Sequence, residues 1–286
     1  MKKLKRAAAL LLALAIVLGL SGCGGKFERK LIKGAKQMQK IENLHMDLSA
    51  DIDMELTLIK KKIPMDFDVL SASDVQISPF KMSSSHESDF MGLSKEVYSY
   101  VEKSEGGYEI MSSLDGRNWV SEFVESEESE SEIDFLGMLS LALKYTSSFE
   151  EKGQEQLGSY NTILFEGTVT DENLRELLEL LGGREVFEKS LEGFSNVEQA
   201  LYSLDESYSI PSRVWIDENS GIIIKYELDL TELGVKLFEA AMLDMLDELN
   251  YEIPKKAMKL KLSKLVLSLS LSQFDAVGEI EIPKAA

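Results

Sequence analysis

The chain has 286 residues, with 50 acidic against 31 basic side chains and a formal net charge of −19. This charge argues against nucleic-acid binding, because phosphate binding needs a clustered cationic face. One cysteine and two histidines exclude an internal disulfide and a thiolate zinc cluster, and they leave few ways to build a catalytic triad or a metal site.

The first segment has the pattern of an export signal. Residues 1–6 hold four cations, and an unbroken run of small and apolar residues follows from Ala7 to Leu20. That run is shorter than the roughly 20 residues that span a bilayer as a helix, and it suits a signal-peptide core. Leu20-Ser21-Gly22-Cys23 comes next and resembles a bacterial lipobox. We expect residues 1–22 to be removed and Cys23 to carry a diacylglyceryl anchor; the alternative is an ordinary secretory signal with a stray cysteine.

Residues 23–43 are predicted to form a lipidated basic stem with the first helix. Six cations stand among residues 24–41 against Glu28 alone. Apolar residues recur at helical steps: Phe27, Leu31, Ala35, Met38 and Ile41. Two interpretations are compatible with this pattern. The cations lie against anionic lipid beside the anchor, or they are the solvated side of a helix whose apolar stripe packs on the protein.

The strongest periodicity follows the stem and predicts a long strand over residues 44–58. Apolar side chains stand at every second position: Leu44, Met46, Leu48, Ala50, Ile52, Met54, Leu56 and Leu58. Polar and mostly acidic residues stand between them. Strict alternation predicts one dry face and one wet face, which is typical of antiparallel sheets.

Hairpin signals then predict a meander. Segments with a strand pattern alternate with turn signals such as Glu105-Gly106-Gly107: Ile63–Val69, Phe80–Phe90, Val97–Lys103 and Tyr108–Leu114. An acidic, solvated loop is predicted over residues 121–134, for which weak calcium binding and repulsion of acidic partners both stay open. Ile133 to Leu143 is apolar on nearly every side and predicts a buried helix too short to cross a bilayer.

The C-terminal half predicts further strands and interposed helices. Strands are expected at Thr146–Leu157, Tyr160–Thr170, Ser212–Asp217 and Ile222–Leu230. Helices are expected from Asp171 to Leu181, over Glu185–Leu191 and Val197–Leu204, and from Glu232 to Leu249. In the last strand the apolar residues move from even to odd positions at Ser263-Lys264, which predicts a β-bulge.

Taken together, these features are similar to LolA/LppX-type bacterial lipoproteins, and especially to a Gram-positive branch of that superfamily. The features are the lipobox, the basic first helix, the long alternating strand, successive hairpins and the closing stretch Phe274 to Pro283. The resemblance implies an α+β fold, in which a curved antiparallel half-barrel over residues 44–286 carries helices on its concave face. In the better-known relatives that hollow accepts acyl chains. This chain departs from the soluble periplasmic carriers of the family by having its own anchor.

We therefore expect an extracytoplasmic lipoprotein, anchored on the outer face of the bacterial cytoplasmic membrane, that binds a lipid or another amphipathic molecule. The expected ligand-facing residues are Met46, Leu48, Ile52, Met54, Leu56, Phe135 and Met138. Met is adaptable, which suits a surface that repacks around varied acyl chains. No enzyme activity, cofactor or metal is expected. The alternative is a tethered interaction or sensor domain without a small ligand.

Overall fold

The structure, a computed structural model, describes residues 26–58, 61–90, 93–125, 146–170, 209–248 and 258–283. Helix α1 spans Lys26–Met38 and helix α2 spans Thr231–Glu248. The strands are β1 Asn43–Leu58, β2 Lys61–Gln76, β3 Lys81–Phe90, β4 Leu93–Ser104, β5 Gly107–Ser113, β6 Val120–Glu125, β7 Thr146–Leu157, β8 Tyr160–Thr170, β9 Ser209–Asp217, β10 Ile223–Asp229 and β11 Met258–Ser272. The export signal with Cys23, the helices expected at 133–143 and 171–204, and thus Phe135 and Met138, lie outside these residues.

The described strands form one open, antiparallel sheet in the order β6-β5-β4-β3-β2-β1-β11-β10-β9-β8-β7. Strand β1 is the middle strand and pairs with both β2 and β11. The pairing of β1 with β11 joins the N-terminal and C-terminal strands, whereas every other pairing in this order joins consecutive strands. Strands β6 and β7 are the two edges.

The two described helices pack on the same face of this sheet, which we call the helix-side face. Leu44 of β1 is buried in one cluster with Phe27 and Met38 of the α1 segment. Met54, which points to the same side of β1, is buried in a second cluster with Val235 and Phe238 of α2. The alternation predicted for residues 44–58 is therefore confirmed, with the even-numbered residues of β1 on the helix-side face. We call the opposite side the far face.

Helix α1 rests on the C-terminal strands through aromatic rings. The ring of Phe27 lies 3.9 Å from the ring of Phe149 and 4.9 Å from that of Phe165, centroid to centroid. A close backbone approach follows two turns later, since a Cβ on Gly34 would lie 1.9 Å from the carbonyl oxygen of Gly221. A side chain at position 34 would thus force α1 away from the turn between β9 and β10.

Two lysines of the basic stem are engaged at the same turn. Lys30 Nζ donates to the carbonyl oxygen of Glu218 at 2.7 Å, and Lys33 Nζ donates to that of Asn219. Phe27, Met38 and Ile41 of the predicted apolar stripe are buried, as expected for a stripe that packs on the protein. For these two lysines the contact partner is the protein backbone.

Helix α2 begins at an aspartate cap and lies across β11. Asp229 Oδ1 accepts hydrogen bonds from the backbone N–H of Thr231 at 3.0 Å and from its hydroxyl at 2.6 Å. A Cβ on Gly234 would lie 2.5 Å from Leu262 and 2.6 Å from Leu265, so the absence of a side chain lets the helix approach the strand. No helix within the described ranges is long and apolar enough to cross a membrane.

The β-bulge predicted at Ser263-Lys264 is confirmed. Asp53 pairs with Lys264 and Met54 pairs with Leu262, so Ser263 is the extra residue opposite β1. The bulge keeps the apolar residues on both sides of it directed to the helix-side face, although they occupy even positions before it and odd positions after it.

One predicted boundary was wrong. Residues 121–125 of the predicted acidic loop belong to strand β6, because its backbone pairs with β5 while all its side chains remain exposed. Strand β2 continues past Val69 to Gln76. In this part of β2 the apolar–polar alternation is reversed: Leu70 points to the far face, whereas Ser71 and Ser73 point to the helix-side face. An open antiparallel sheet agrees with a half-barrel, and the concavity of the helix-side face stays a prediction.

Candidate functional site

Two of the three core clusters in the described part of the chain include side chains on the helix-side face of β1. Leu44 is almost fully buried at the α1 end, while Ile52 and Met54 are buried at the α2 end. Met46 packs against the first cluster, which also includes Leu233 and Leu237 of α2, whereas Leu48 belongs to neither cluster. A sheet that only supported a core would be covered most completely at its middle strand.

Leu48 marks an apolar opening at the centre of the sheet. Its side chain is 48% exposed, although it stands in the middle strand. Its cross-strand neighbours are Leu269 on β11 and Ser71 on β2, and Ser71 in turn faces His86 on β3. We call these four residues (Leu269, Leu48, Ser71 and His86) the open row. Along it, apolar side chains give way to hydrogen-bonding ones within about three strand spacings of 4.8 Å.

A row of serines runs beside the open row. Ser73, Ser84, Ser99 and Ser112 are successive cross-strand neighbours on β2, β3, β4 and β5. Ser73 Oγ donates to Ser84 Oγ at 2.9 Å, and both side chains are buried. Ser99 Oγ lies 2.9 Å from His86 Nε2, within hydrogen-bonding distance. The buried hydroxyl groups of Ser73 and Ser84 therefore occupy positions that would hold apolar side chains in an ordinary core.

The two faces of β1–β4 differ sharply in charge. On the helix-side face, every ionisable side chain described in these four strands is basic, namely Lys61, His86, Lys95 and Lys103. The far face of the same strands carries the acids: Asp47, Asp51, Asp53, Glu55, Asp68, Asp74, Glu87, Asp89, Glu96 and Glu102. Although the protein has 50 acidic residues, those described in β1–β4 all lie on the far face, so the helix-side face of these strands has no carboxylate among its described side chains.

On the far face, like charges stand directly opposite each other. Asp51, Asp68 and Asp89 are cross-strand neighbours on β1, β2 and β3. Opposed like charges destabilise a sheet, and a salt bridge from Lys264 to Asp51 offsets part of this repulsion. The hydrogen bond to Asp51 raises the pKa of Lys264.

His45 forms a second compensating contact on the far face. Its Nδ1 lies 2.7 Å from Asp74 Oδ1, and its Nε2 lies 3.2 Å from Asp47 Oδ1. Burial lowers the pKa of His45, but the hydrogen bond with Asp74 and the charge of Asp47 outweigh that effect, so the pKa lies above its ordinary value of 6.5. Protonated His45 thus offsets repulsion between two carboxylates.

The residues expected to face a ligand have different environments in the structure. Leu48 is exposed and Met46 is half-buried beside the α1 cluster, whereas Ile52 and Met54 are buried under α2. Leu56 is half-buried. None of these placements tests ligand contact, and Cys23, Phe135 and Met138 lie outside the described residues.

Ser71 and His86 were missed by the sequence reasoning, although a signal for them exists. In Leu70-Ser71-Ala72-Ser73 the serines point to the helix-side face and Leu70, 52% exposed, points to the far face. Such a reversal of apolar and polar positions in a strand often marks a functional surface. Within the described residues, no group of three or more His, Cys, Asp or Glu side chains could hold a metal ion.

Comparisons with known proteins concern the fold. No family model matches the chain, and no curated protein matches it. The chain is similar to lipoprotein LppX of Mycobacterium tuberculosis, with 11% identity, a TM-score of 0.44, and coverage of 88% of this chain and 97% of that chain. It is also similar to LprF of Mycobacterium bovis, with 12% identity, a TM-score of 0.45, and coverage of 90% and 97%.

A third similar structure is an outer membrane lipoprotein-sorting protein domain from Vibrio parahaemolyticus, with 11% identity, a TM-score of 0.20, and coverage of 86% of this chain and 92% of that chain. These structures are what the chain is similar to, and the resemblance to LolA/LppX-type proteins stays a prediction, because none of them reaches a TM-score of 0.5. The Gram-positive branch stays a prediction. At these identities and TM-scores the likeness carries no argument about ligand or anchor.

Proposed function

We propose that this chain is an extracytoplasmic lipoprotein without enzyme activity, anchored through Cys23 to the outer face of a bacterial cytoplasmic membrane. In this proposal it binds an amphipathic lipid on the helix-side face, over the opening between α1 and α2. The observation that carries the proposal is the exposure of Leu48 in the middle strand, between two buried clusters. Its half-buried neighbours Ala50, Leu267 and Leu269 extend the apolar surface, and the two leucines also pack against the first core cluster.

An acyl chain on this surface would gain binding free energy by covering apolar area. Each methylene group removed from water contributes roughly 0.8 kcal/mol. Association costs about 4–15 kcal/mol of translational and rotational freedom, so an acyl chain would have to bury on the order of ten methylene groups against Leu48 and its neighbours to offset it. His86 and Ser99 do not favour a hydrolytic role, because a nucleophile and base pair is commonly oriented by a third, acidic group. The helix-side face of β1–β4 offers no such group among its described side chains.

The proposed anchor would hold the domain close to the bilayer. Cys23 precedes α1 by three residues, which span at most about 11 Å when extended. Since Phe27 is buried against β7 and β8, the tether cannot lengthen without undocking α1. The open row would then stay near its source of lipid.

The test is lipid retention by the full chain. The protein is extracted from membranes of its host in mild detergent, purified, and its non-covalent lipid is quantified by mass spectrometry. We expect about one lipid per protein for the wild type and a loss of at least about fivefold in Leu48→Gln, because a polar side chain interrupts the apolar surface.

Leu70→Gln is the matched control. Leu70 is a similarly exposed leucine on the neighbouring strand, but it points to the far face. It should retain lipid as the wild type does. Absence of lipid from the wild type, or equal losses in the two variants, would contradict lipid binding at this opening.

A second candidate function is a tethered interaction domain without a small ligand. The facing aspartates at positions 51, 68 and 89 favour it, since an exposed acidic face attracts cationic proteins. A wild-type protein that holds no lipid would favour this candidate.

A further inference from the structure

We infer that the lipid bound at the open row has an anionic headgroup, which lies against Ser71, His86 and Lys95 while the acyl chain lies on Leu48 and Leu269. This inference rests on the proposed function and specifies the class of its ligand. Its observations are the charge asymmetry of β1–β4 and the change from apolar to polar side chains along the open row.

The position of the polar end follows from the strand register. Leu269 and Leu48 form the apolar half of the open row, and Ser71 and His86 form its polar half. Cross-strand neighbours on one face have Cβ atoms about 5 Å apart. An amphiphile whose tail covers Leu48 therefore brings its headgroup to Ser71 and His86.

The sign of the headgroup charge follows from which groups face it. Lys95 on β4 stands opposite Ser88, which is two residues from His86 on β3 and on the same face. The side chain of Lys95 is exposed and long enough to reach the diagonal neighbour. A phosphate at this point would meet an ammonium group, an imidazole and serine hydroxyls.

Carboxylates that would repel an anion are directed away from this position. Glu87, Asp89 and Glu96 are sequence neighbours of His86 and Lys95, yet strand alternation places them on the far face. A cationic headgroup would find no carboxylate on the helix-side face of β1–β4 within the described side chains. Charge complementarity thus favours an anionic lipid over a cationic one.

The experiment compares lipids that differ in headgroup alone. The full chain, purified in detergent, is titrated with pyrene-labelled phosphatidic acid and with pyrene-labelled diacylglycerol of the same acyl chains. We expect phosphatidic acid to bind at least about tenfold more tightly, which is the scale of one charge-assisted hydrogen bond. Lys95→Gln and Ser71→Ala should each reduce this preference by about threefold or more, because each weakens binding of phosphatidic acid more than binding of diacylglycerol.

Matched controls come from the same strands. Lys103→Gln removes a lysine from the same face of β4, about 26 Å along the strand. Ser85→Ala removes a serine from the far face of β3, next to His86. Both should keep the wild-type preference.

The possible failures are distinguishable. Equal affinity for the two lipids, or an equal loss of both in Lys95→Gln, would overturn the headgroup assignment and leave lipid binding intact. Failure of both lipids to bind would overturn the proposed function itself. Displacement of phosphatidic acid by millimolar inorganic phosphate, with diacylglycerol unbound, would show a site for free anions and also overturn the inference.

Discussion

The two halves of the sheet are built from the same antiparallel pairing but are stabilised differently. In β8 and β9 the side chains of Ile163, Val214 and Ile216 are fully buried, beneath or beside α1. In β2 to β5 the corresponding face carries serines and a histidine beside the buried Val75 and Val101, and edge strand β6 is exposed throughout. One half is thus dominated by the hydrophobic core, whereas the other combines a smaller apolar cluster around Tyr100 and Met111 with hydrogen-bonding groups on the helix-side face. The open row lies where the two meet.

The largest expected effect comes from removing a ring in the packed half. Phe165→Ala should lower the free energy of unfolding by about 3–5 kcal/mol, because Phe165 is buried and contacts Phe27 of α1. Phe123→Ala, at a half-exposed position in β6, should cost less than about 1 kcal/mol. Urea denaturation followed by circular dichroism measures both. Similar losses would show that the two halves are equally packed.

A smaller effect is expected from the buried serine pair in the polar half. Ser73→Ala or Ser84→Ala leaves the other hydroxyl buried without this hydrogen bond and should cost about 1–2 kcal/mol. The double variant should lose clearly less than the sum of the single losses, because the second substitution removes the stranded hydroxyl. If the loss of unfolding free energy in the double variant equalled the sum of the two single losses, the two serines would not be energetically coupled.

The smallest expected effect concerns His45, on the far face near the junction of the halves. Its pKa is raised above 6.5 in the folded protein by Asp74 and Asp47. A raised pKa means that the stabilising contribution is fully present below pH 6.5 and is lost as the pH rises through the folded pKa. We expect less than about 1 kcal/mol, since solvent screens the pair.

Unfolding free energies measured from pH 5.5 to 8.5 test this prediction. The advantage of the wild type over His45→Gln should be larger at pH 5.5 than at pH 8.5. A difference that is constant, or that grows toward pH 8.5, would rule out a protonated His45 as the stabilising species.

Those parts of the fold with a strong periodic pattern could be predicted from the sequence. The strand over residues 44–58 and the bulge at Ser263 follow directly from the positions of apolar residues. The central pairing of β1 with β11 could not be predicted, since alternation specifies a face and not a partner. Strand β6 was missed because its stability comes from backbone pairing at an edge, where acidic side chains cost little.

The candidate site was only half predictable. Leu48 belongs to a regular apolar pattern that predicts a dry face, and the sequence alone does not show that this position is left uncovered. Ser71 and His86 are polar residues on the face that apolar residues occupy elsewhere in the sheet. A search for apolar alternation in the sequence therefore does not identify them. That Leu269, Leu48, Ser71 and His86 form one row follows only from the register of strand pairing, which the structure gives and the sequence does not.

The pairing of β1 with β11 makes the molecule two meanders joined along a single seam. The hydrogen bond from the Glu42 N–H to Asp275 at one end of this seam spans 233 sequence positions. Closing a loop of that length costs roughly 5 kcal/mol of chain entropy, and the cost is concentrated at one pairing. A chain cut in the segment between β6 and β7 would therefore keep each meander whole, so the two fragments have the layout required for complementation across the seam.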